Sequence, residues 1–156
     1  PVRVQESLLA ISSLGKVSVN FEENSGIVHA DYERISDKIR ELLLSNNVDT
    51  VLIHSPHDTH QEHRLLYDIT KSAARRLKIN FLQYRSVSST PGFVPNYYLE
   101  ISDKMDLKRE ALKFHKSQSK QLYMDDFSIE LFNSGIYSNI LKLDQHELYH
   151  IETLFA

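Results

Sequence analysis

The run Thr50-Val51-Leu52-Ile53-His54 constrains this chain most. It is short, apolar, bounded by polar sequence, and lies between two stretches of helical spacing. A run of that length and character reads as a buried strand. Before it, Tyr32, Ile35, Ile39 and Leu42 line one helix face that ends near Asn46-Asn47. After it, a polar loop over Ser55–Thr59, containing Pro56, leads into a helix from about His60 to Lys78, with Leu66, Ile69, Ala73 and Leu77 on one face. Ile79–Tyr84 reads as the next strand, and Arg85–Gly92, rich in Ser with a Pro-Gly pair, as loop.

The same alternation extends to both ends. Val4, Leu8, Ile11 and Leu14 recur at helical spacing, with Gly15 as a natural C-cap. Val17, Val19 and Phe21 alternate with polar residues and predict a strand over Lys16–Phe21. Tyr97–Ile101 reads as a strand and Asp103–Leu122 as a fourth helix, while Leu148, Ile151 and Phe155 suggest a terminal helix. Alternating helix and strand predicts an α/β fold, a mostly parallel sheet with helices on both faces. Ligands bind such sheets at the carboxyl ends of the strands. The loop after Thr50–His54 is therefore the first place to look for chemistry.

Composition narrows the function classes. The chain has 156 residues, 41% of them hydrophobic, which suits one domain with a real core. The net charge of -3, with Lys and Arg dispersed, gives no basic block for nucleic acid or an anionic membrane. There is no cysteine, hence no disulfide framework and no thiolate metal site. No apolar run approaches the roughly 20 residues of a membrane span. The N-terminus carries no signal-peptide pattern and opens on Pro1-Val2-Arg3 rather than Met. It reads as a fragment, or as a chain whose start was processed or omitted.

Chemistry concentrates in one place. His54, His57, His60 and His63 follow the end of the predicted strand, with Asp58 and Glu62 among them. His60 and His63, three apart at a helix start, put both imidazoles on one side of the first turn. Neutral imidazole is a good zinc ligand, and a neighbouring carboxylate fixes its tautomer. The bland alternative is surface or capping chemistry, with Asp58 or Thr59 as the helix N-cap. Two histidines also fall short of the three protein ligands that catalytic zinc uses.

Asp58-Thr59-His60-Gln61-Glu62-His63 resembles the second motif of the PIG-L/LmbE-type N-deacetylases, Asp-x-His-Pro-Asp-His after a buried strand, with Gln for Pro and Glu for Asp. Further pieces follow in the family's order. Arg3-Val4-Gln5-Glu6 with Leu14-Gly15 is similar to an Arg-x-x-Glu helix ending in Leu-Gly, and Asn24-Ser25-Gly26 lies where an Asp-x-Gly-type loop is usual. Phe93-Val94-Pro95-Asn96-Tyr97, leading into Glu100-Ile101, resembles a segment of many bacterial members. Lys108, His115, Ser117 and Gln118 match a Lys helix ending in His-x-Ser-Gln, and Ile129-Glu130-Leu131-Phe132 resembles a later Glu-x-Phe.

The resemblance implies a three-layer Rossmann-like fold and a single deacetylase domain over residues 1–156. It implies Zn2+ as cofactor and a small N-acetylated amino-sugar conjugate, of N-acetylglucosamine type, as substrate. Acetate and a free amine would be the products. His63 is assigned as a zinc ligand, and His60 as general acid and oxyanion partner. Glu62 would orient His60, while Arg3 and Asn24 would contact substrate. The Lys108–Gln118 helix is expected to serve packing rather than chemistry. A cytoplasmic setting, no nucleic-acid partner and a possible homo-oligomer complete the family expectation.

The family's first motif, His-Pro-Asp-Asp, supplies two more zinc ligands and the general base, and no such motif occurs in this sequence. The family places it ahead of the Arg-x-x-Glu helix, on a strand inside the sheet. The chain is accordingly expected to be N-terminally incomplete, inactive alone, and unable to form an uninterrupted sheet unaided. Direct pairing of Lys16–Phe21 with Thr50–His54 would contradict a segment supplied from elsewhere. Two other functional readings stand beside the deacetylase: a non-catalytic binding relic of the same fold, and hydration of an unsaturated acid.

Overall fold

The computed structural model describes residues 2–15, 17–19, 31–134 and 144–153. Four strands form one sheet: β1 (Thr50–His54), β2 (Asn80–Tyr84), β3 (Tyr97–Glu100) and β4 (His146–Thr153), in the order β1-β2-β4-β3. β1 and β2 are parallel in a register running from Thr50↔Asn80 to His54↔Tyr84. β4 lies antiparallel to β2, so the sheet is mixed around a parallel pair. The helices are α1 (Val2–Leu14), α2 (Tyr32–Ser45), α3 (Gln61–Ala73), α4 (Met105–Lys113) and α5 (Asp126–Ser134). None of the described helices is long and apolar enough to cross a membrane. The chain divides into two compact units.

One unit holds α2, β1, α3, β2 and β4 from Leu148 onward. Its core joins Leu43, Ile53, Ala74, Ile79 and Phe81, with Val51 and Tyr67 packed against them. A neighbouring cluster of Ile35, Leu65 and Ile69 binds α2 to α3. The apolar run of β1 is not buried on both faces. Ile53 is buried while Leu52 between the inward residues is 57% exposed, the period-two pattern of a strand covered on one side. β1 ends the strand order, and among the described residues no strand pairs with its other edge. Val17–Val19 are not in a strand, and Lys16, Asn20 and Phe21 lie outside the described residues. The direct pairing that would have contradicted the sequence reading is not found among the described residues.

α3 ends at Ala73, short of the Lys78 its apolar periodicity suggests. Arg76 takes a left-handed backbone (φ 68°), which an α-helix cannot continue through. Arg40 of α2 donates to the carbonyls of Ala73 (2.8 Å) and Arg75 (3.1 Å), satisfying helix-end acceptors that have no partner within the helix. A polar network then ties α3 to the sheet. The Glu152 carboxylate accepts from Tyr67 (2.9 Å) and Gln83 (3.1 Å) and pairs with Lys71 (2.7 Å). These contacts outweigh the effect of burial and hold its pKa below the usual carboxylate value.

The other unit holds α1 and the stretch Leu99–Glu147, with Ile101, Met105 and Ile129 in its core. Here α1 buries Glu6 and Ala10, while Leu8 and Leu14 stay exposed. Glu6 accepts the Ser117 N–H (2.8 Å) and hydroxyl (2.6 Å). These bonds lower its pKa. Lys108 bridges Asn133 (3.0 Å) and Glu147 (2.6 Å). The predicted helix over Asp103–Leu122 is corrected: α4 stops at Lys113, and short 3-10 turns follow at Lys116–Gln118 and Leu122–Met124. Ser117 is held by Glu6 instead of continuing the helical ladder. The predicted terminal helix is corrected as well, because His146–Thr153 is strand. Its β-branched and aromatic residues suit pairing with β2, and tertiary context overrode the spacing of Leu148 and Ile151. Phe155 lies outside the described residues.

Replacing Arg40 with Met keeps the aliphatic stem and removes the cap. Stability should fall by about 1 kcal/mol, seen as a melting temperature roughly 2–4 °C lower. An unchanged melt would show that the carbonyls of Ala73 and Arg75 gain nothing from the guanidinium.

Candidate metal centre

Parallel pairing of β1 with β2 brings two loops together at the carboxyl ends of the strands. The loop after β1 carries Asp58, and the loop after β2 carries Ser86, Ser88 and Ser89. The loops meet through an isolated Asp58↔Ser89 bridge. The Thr59 N–H bonds the Ser88 carbonyl (2.9 Å), and the Thr90 N–H bonds the His57 carbonyl (2.9 Å). Gly92 lies against His57, and a Cβ there would come 2.7 Å from the ring Nδ1 and push the ring aside.

Asp58 is the hub. It is only 3% exposed. Its Oδ1 accepts the His60 N–H (2.8 Å), an Asx-type turn that sets the entry to α3. Its Oδ2 accepts the Ser86 hydroxyl (2.6 Å) and lies 3.0 Å from His63 Nδ1. Burial pushes the Asp58 carboxyl up, but the bonds from Ser86, the His60 backbone, His63 and Ser88 outweigh it and hold the pKa far below the ordinary value. An ionised carboxylate only accepts, so His63 donates from Nδ1.

The histidines form a stack. The His54 and His63 rings lie 3.7 Å apart at 6° to each other, and His60 stacks on the other partner, His63, at 4.5 Å and 20°. His54 is the last residue of β1, in register with Tyr84 of β2. The Tyr84 hydroxyl lies 2.9 Å from both ring nitrogens of His54. Burial pushes the His54 pKa down to about 4, assisted by His63 and opposed by Asp58. Burial pushes the Tyr84 phenol up to about 12. His54 is therefore neutral at pH 7 and able to offer a lone pair to a cation. His54, Asp58 and His63 bring ligand atoms to within 4.8 Å of one another, and no other such group occurs among the described residues.

The structure thus gathers some of the expected residues and not others. His60 and His63 share one cluster. Glu62 sits half-buried in the first turn of α3, and no hydrogen bond joins it to His60; the carboxylate that organises the cluster is Asp58. The N-cap position of α3 falls on His60, not on Asp58 or Thr59. Arg3 is exposed on α1 in the other unit. Asn24 lies outside the described residues. His54 belongs to the histidine run, and the sequence alone assigns it no role. Its signal was its position as the last strand residue, where the parallel register aims it at the following loop.

The chain has the fold implied by its resemblance to PIG-L/LmbE-type deacetylases, one shared by solved deacetylases and a hydratase. It is 16% identical to 4-carboxy-2-hydroxymuconate hydratase from Pseudomonas putida KT2440, covering 99% of this chain and 72% of that one, at a TM-score of 0.75. It is 13% identical to the zinc-inhibited form of teicoplanin deacetylase, over 96% of this chain and 73% of that one, at 0.70. With N,N'-diacetylchitobiose deacetylase from Pyrococcus horikoshii it shares 16% identity, over 96% of this chain and 62% of that one, at 0.66. No family model and no curated protein sequence matches the chain.

Replacing Ser86 with Ala tests the hub. The folded Asp58 pKa lies below its unfolded value of 3.8, so its stabilisation is present above that value and lost as pH falls through the folded pKa. The variant should be destabilised near pH 7 by about 1.5–3 kcal/mol, the usual worth of a hydrogen bond to a charge. In denaturant unfolding the difference should shrink once both proteins protonate Asp58. A difference independent of pH would separate Ser86 from that carboxylate.

Proposed function

We propose that this protein is a metal-dependent amide hydrolase, an N-deacetylase acting on N-acetylglucosamine-type amino-sugar conjugates. The observation that carries the reading is the cluster at the carboxyl end of β1: His63 held by Asp58 at 3.0 Å, with the His60 ring stacked upon it. A fold shared with deacetylases supports it. So does the donor chemistry, since two imidazoles and a carboxylate suit zinc.

His63 serves as a metal ligand and Asp58 fixes its ring. When bound, zinc supplies an acidified water and polarises an amide carbonyl. His60 is the N-cap residue of α3 and lies exposed beside His63. It hydrogen-bonds the developing oxyanion and then protonates the departing amine as the C–N bond breaks. Glu62, in the same turn, supports the protonated form of His60 once substrate draws the ring toward the reacting amide. Arg3 and Asn24 are assigned to substrate contacts in the same proposal. A single deacetylase domain over residues 1–156, a cytoplasmic setting and self-assembly belong to it too.

The similarity to a hydratase favours one second reading, addition of water to an unsaturated acid. The two differ in product. Supplied with zinc, the protein should release acetate from N-acetylglucosamine derivatives, and His60→Ala should slow this by about 10²–10⁴-fold. Zinc-loaded protein that releases no acetate but consumes a conjugated unsaturated acid would replace the first reading with the second. His63→Ala should lose the metal, and full zinc content in that variant would remove His63 from the ligand set.

A further inference from the structure

We propose that Gln83 is a positioning residue for the candidate site, holding the loop between His54 and Asp58 through the Ser55 hydroxyl. The proposal rests on the reading above only for the reaction it would affect. Its geometry involves protein groups alone.

Gln83 lies in β2 with its side chain buried. Its Oε1 accepts the Ser55 hydroxyl (3.0 Å), and its Nε2 donates to Glu152 Oε2 (3.1 Å). Ser55, 1% exposed, accepts in turn from the His57 N–H (3.1 Å). Every donor in this row therefore points toward Glu152. The direction is imposed by chemistry. Glu152, with its pKa below the usual carboxylate value, is ionised at neutral pH and has no proton to give. The Gln83 amide must then turn Nε2 to Glu152 and Oε1 to Ser55. A carbonyl oxygen also only accepts, so the single Ser55 proton goes to Oε1. The hydroxyl lone pairs are left for the His57 N–H.

A buried glutamine between two polar partners could be satisfied packing and nothing more. Two observations give this one a role at the site. First, the loop after β1 is tied across twice, by Ser55 to Gln83 and by Asp58 to Ser86. The first tie sets the path of the chain as it leaves β1. The second holds the carboxylate that orients His63. With Ser55 released, His57 loses its restraint, and the shift passes to Asp58, the next residue. Second, Glu152 also accepts from Tyr67 (2.9 Å) and pairs with Lys71 (2.7 Å). Both belong to α3, whose first turn holds His63 and whose N-cap is His60. Gln83 thus refers the Asp58 loop and the histidine-bearing helix to one carboxylate. Buried polar rows of this kind specify a single arrangement when every member is satisfied.

The test uses the whole 156-residue chain. Gln83→Leu fills the space without either bond, and Ser55→Ala removes the hydroxyl. Tyr67→Phe is the control, because it removes another bond to Glu152 and leaves the row intact. In the wild type, the His57 amide should be protected from hydrogen exchange although it lies in a loop. In Gln83→Leu and Ser55→Ala it should exchange about 5–10-fold faster relative to the β2 amides, as for one lost hydrogen bond. The NMR resonance of the His63 Nδ1 proton should shift in both variants and stay in place in Tyr67→Phe. In the zinc-supplied protein, kcat for acetate release should fall about 10-fold in Gln83→Leu with KM within about twofold, the pattern of a displaced supporting residue. An unprotected His57 amide in the folded wild type would overturn the proposal. So would an unmoved His63 proton in folded Gln83→Leu, or the same changes in Tyr67→Phe, which would reduce the row to general packing. If Gln83→Leu fails to fold, Ser55→Ala and the wild-type exchange decide. A wild type that releases no acetate would remove the deacetylase reading, while the exchange rates and the His63 resonance would still decide for or against Gln83.

Discussion

The arrangement at the carboxyl end of the sheet depends on one buried carboxylate. Asp58 is withdrawn from water at the junction of two loops. A lone charge there would cost several kcal/mol of desolvation. It is tolerated because a hydroxyl, a backbone N–H and an imidazole converge on it. Each of those bonds also fixes something: the serine loop after β2, the entry angle of α3, and the orientation of His63. Local structure and candidate chemistry are thus set by the same contacts. Disturbing the serine loop would reach the histidines through Asp58, without touching them.

β1 explains why the cluster forms where it does. In a parallel pair both strands deliver their loops to the same end of the sheet. The His54↔Tyr84 register stops the two strands level, so the loops after them lie side by side. Among the described residues β1 ends the strand order, and Leu52 is exposed. The solved structures of similar fold are longer than this chain.

The parts of the fold legible in the sequence were those written in short-range periodicity. Tyr32, Ile35 and Ile39 marked α2, and Asn47, which adopts a left-handed backbone, marked its end. The β1 run and the position of α3 were legible for the same reason. Reading failed where long-range contacts decide. Glu6 captures Ser117 and ends the fourth helix early, and pairing with β2 makes His146–Thr153 a strand. The site was half legible. His60 and His63 sit three apart on one helix turn, and local spacing displays that. The role of His54 depends on the strand register, and the role of Asp58 on a serine loop almost thirty residues downstream. Neither relation has a signature in local sequence. Glu62 drew attention by its place in the motif, yet the carboxylate holding the histidines is the one four residues earlier.

X-ray absorption at the zinc edge of the metal-loaded protein tests most directly whether His63, oriented by Asp58, is a metal ligand at the mouth of β1. The expected result is a nitrogen and oxygen first shell with outer-shell imidazole scattering that weakens in His63→Ala. A shell without imidazole scattering would contradict it.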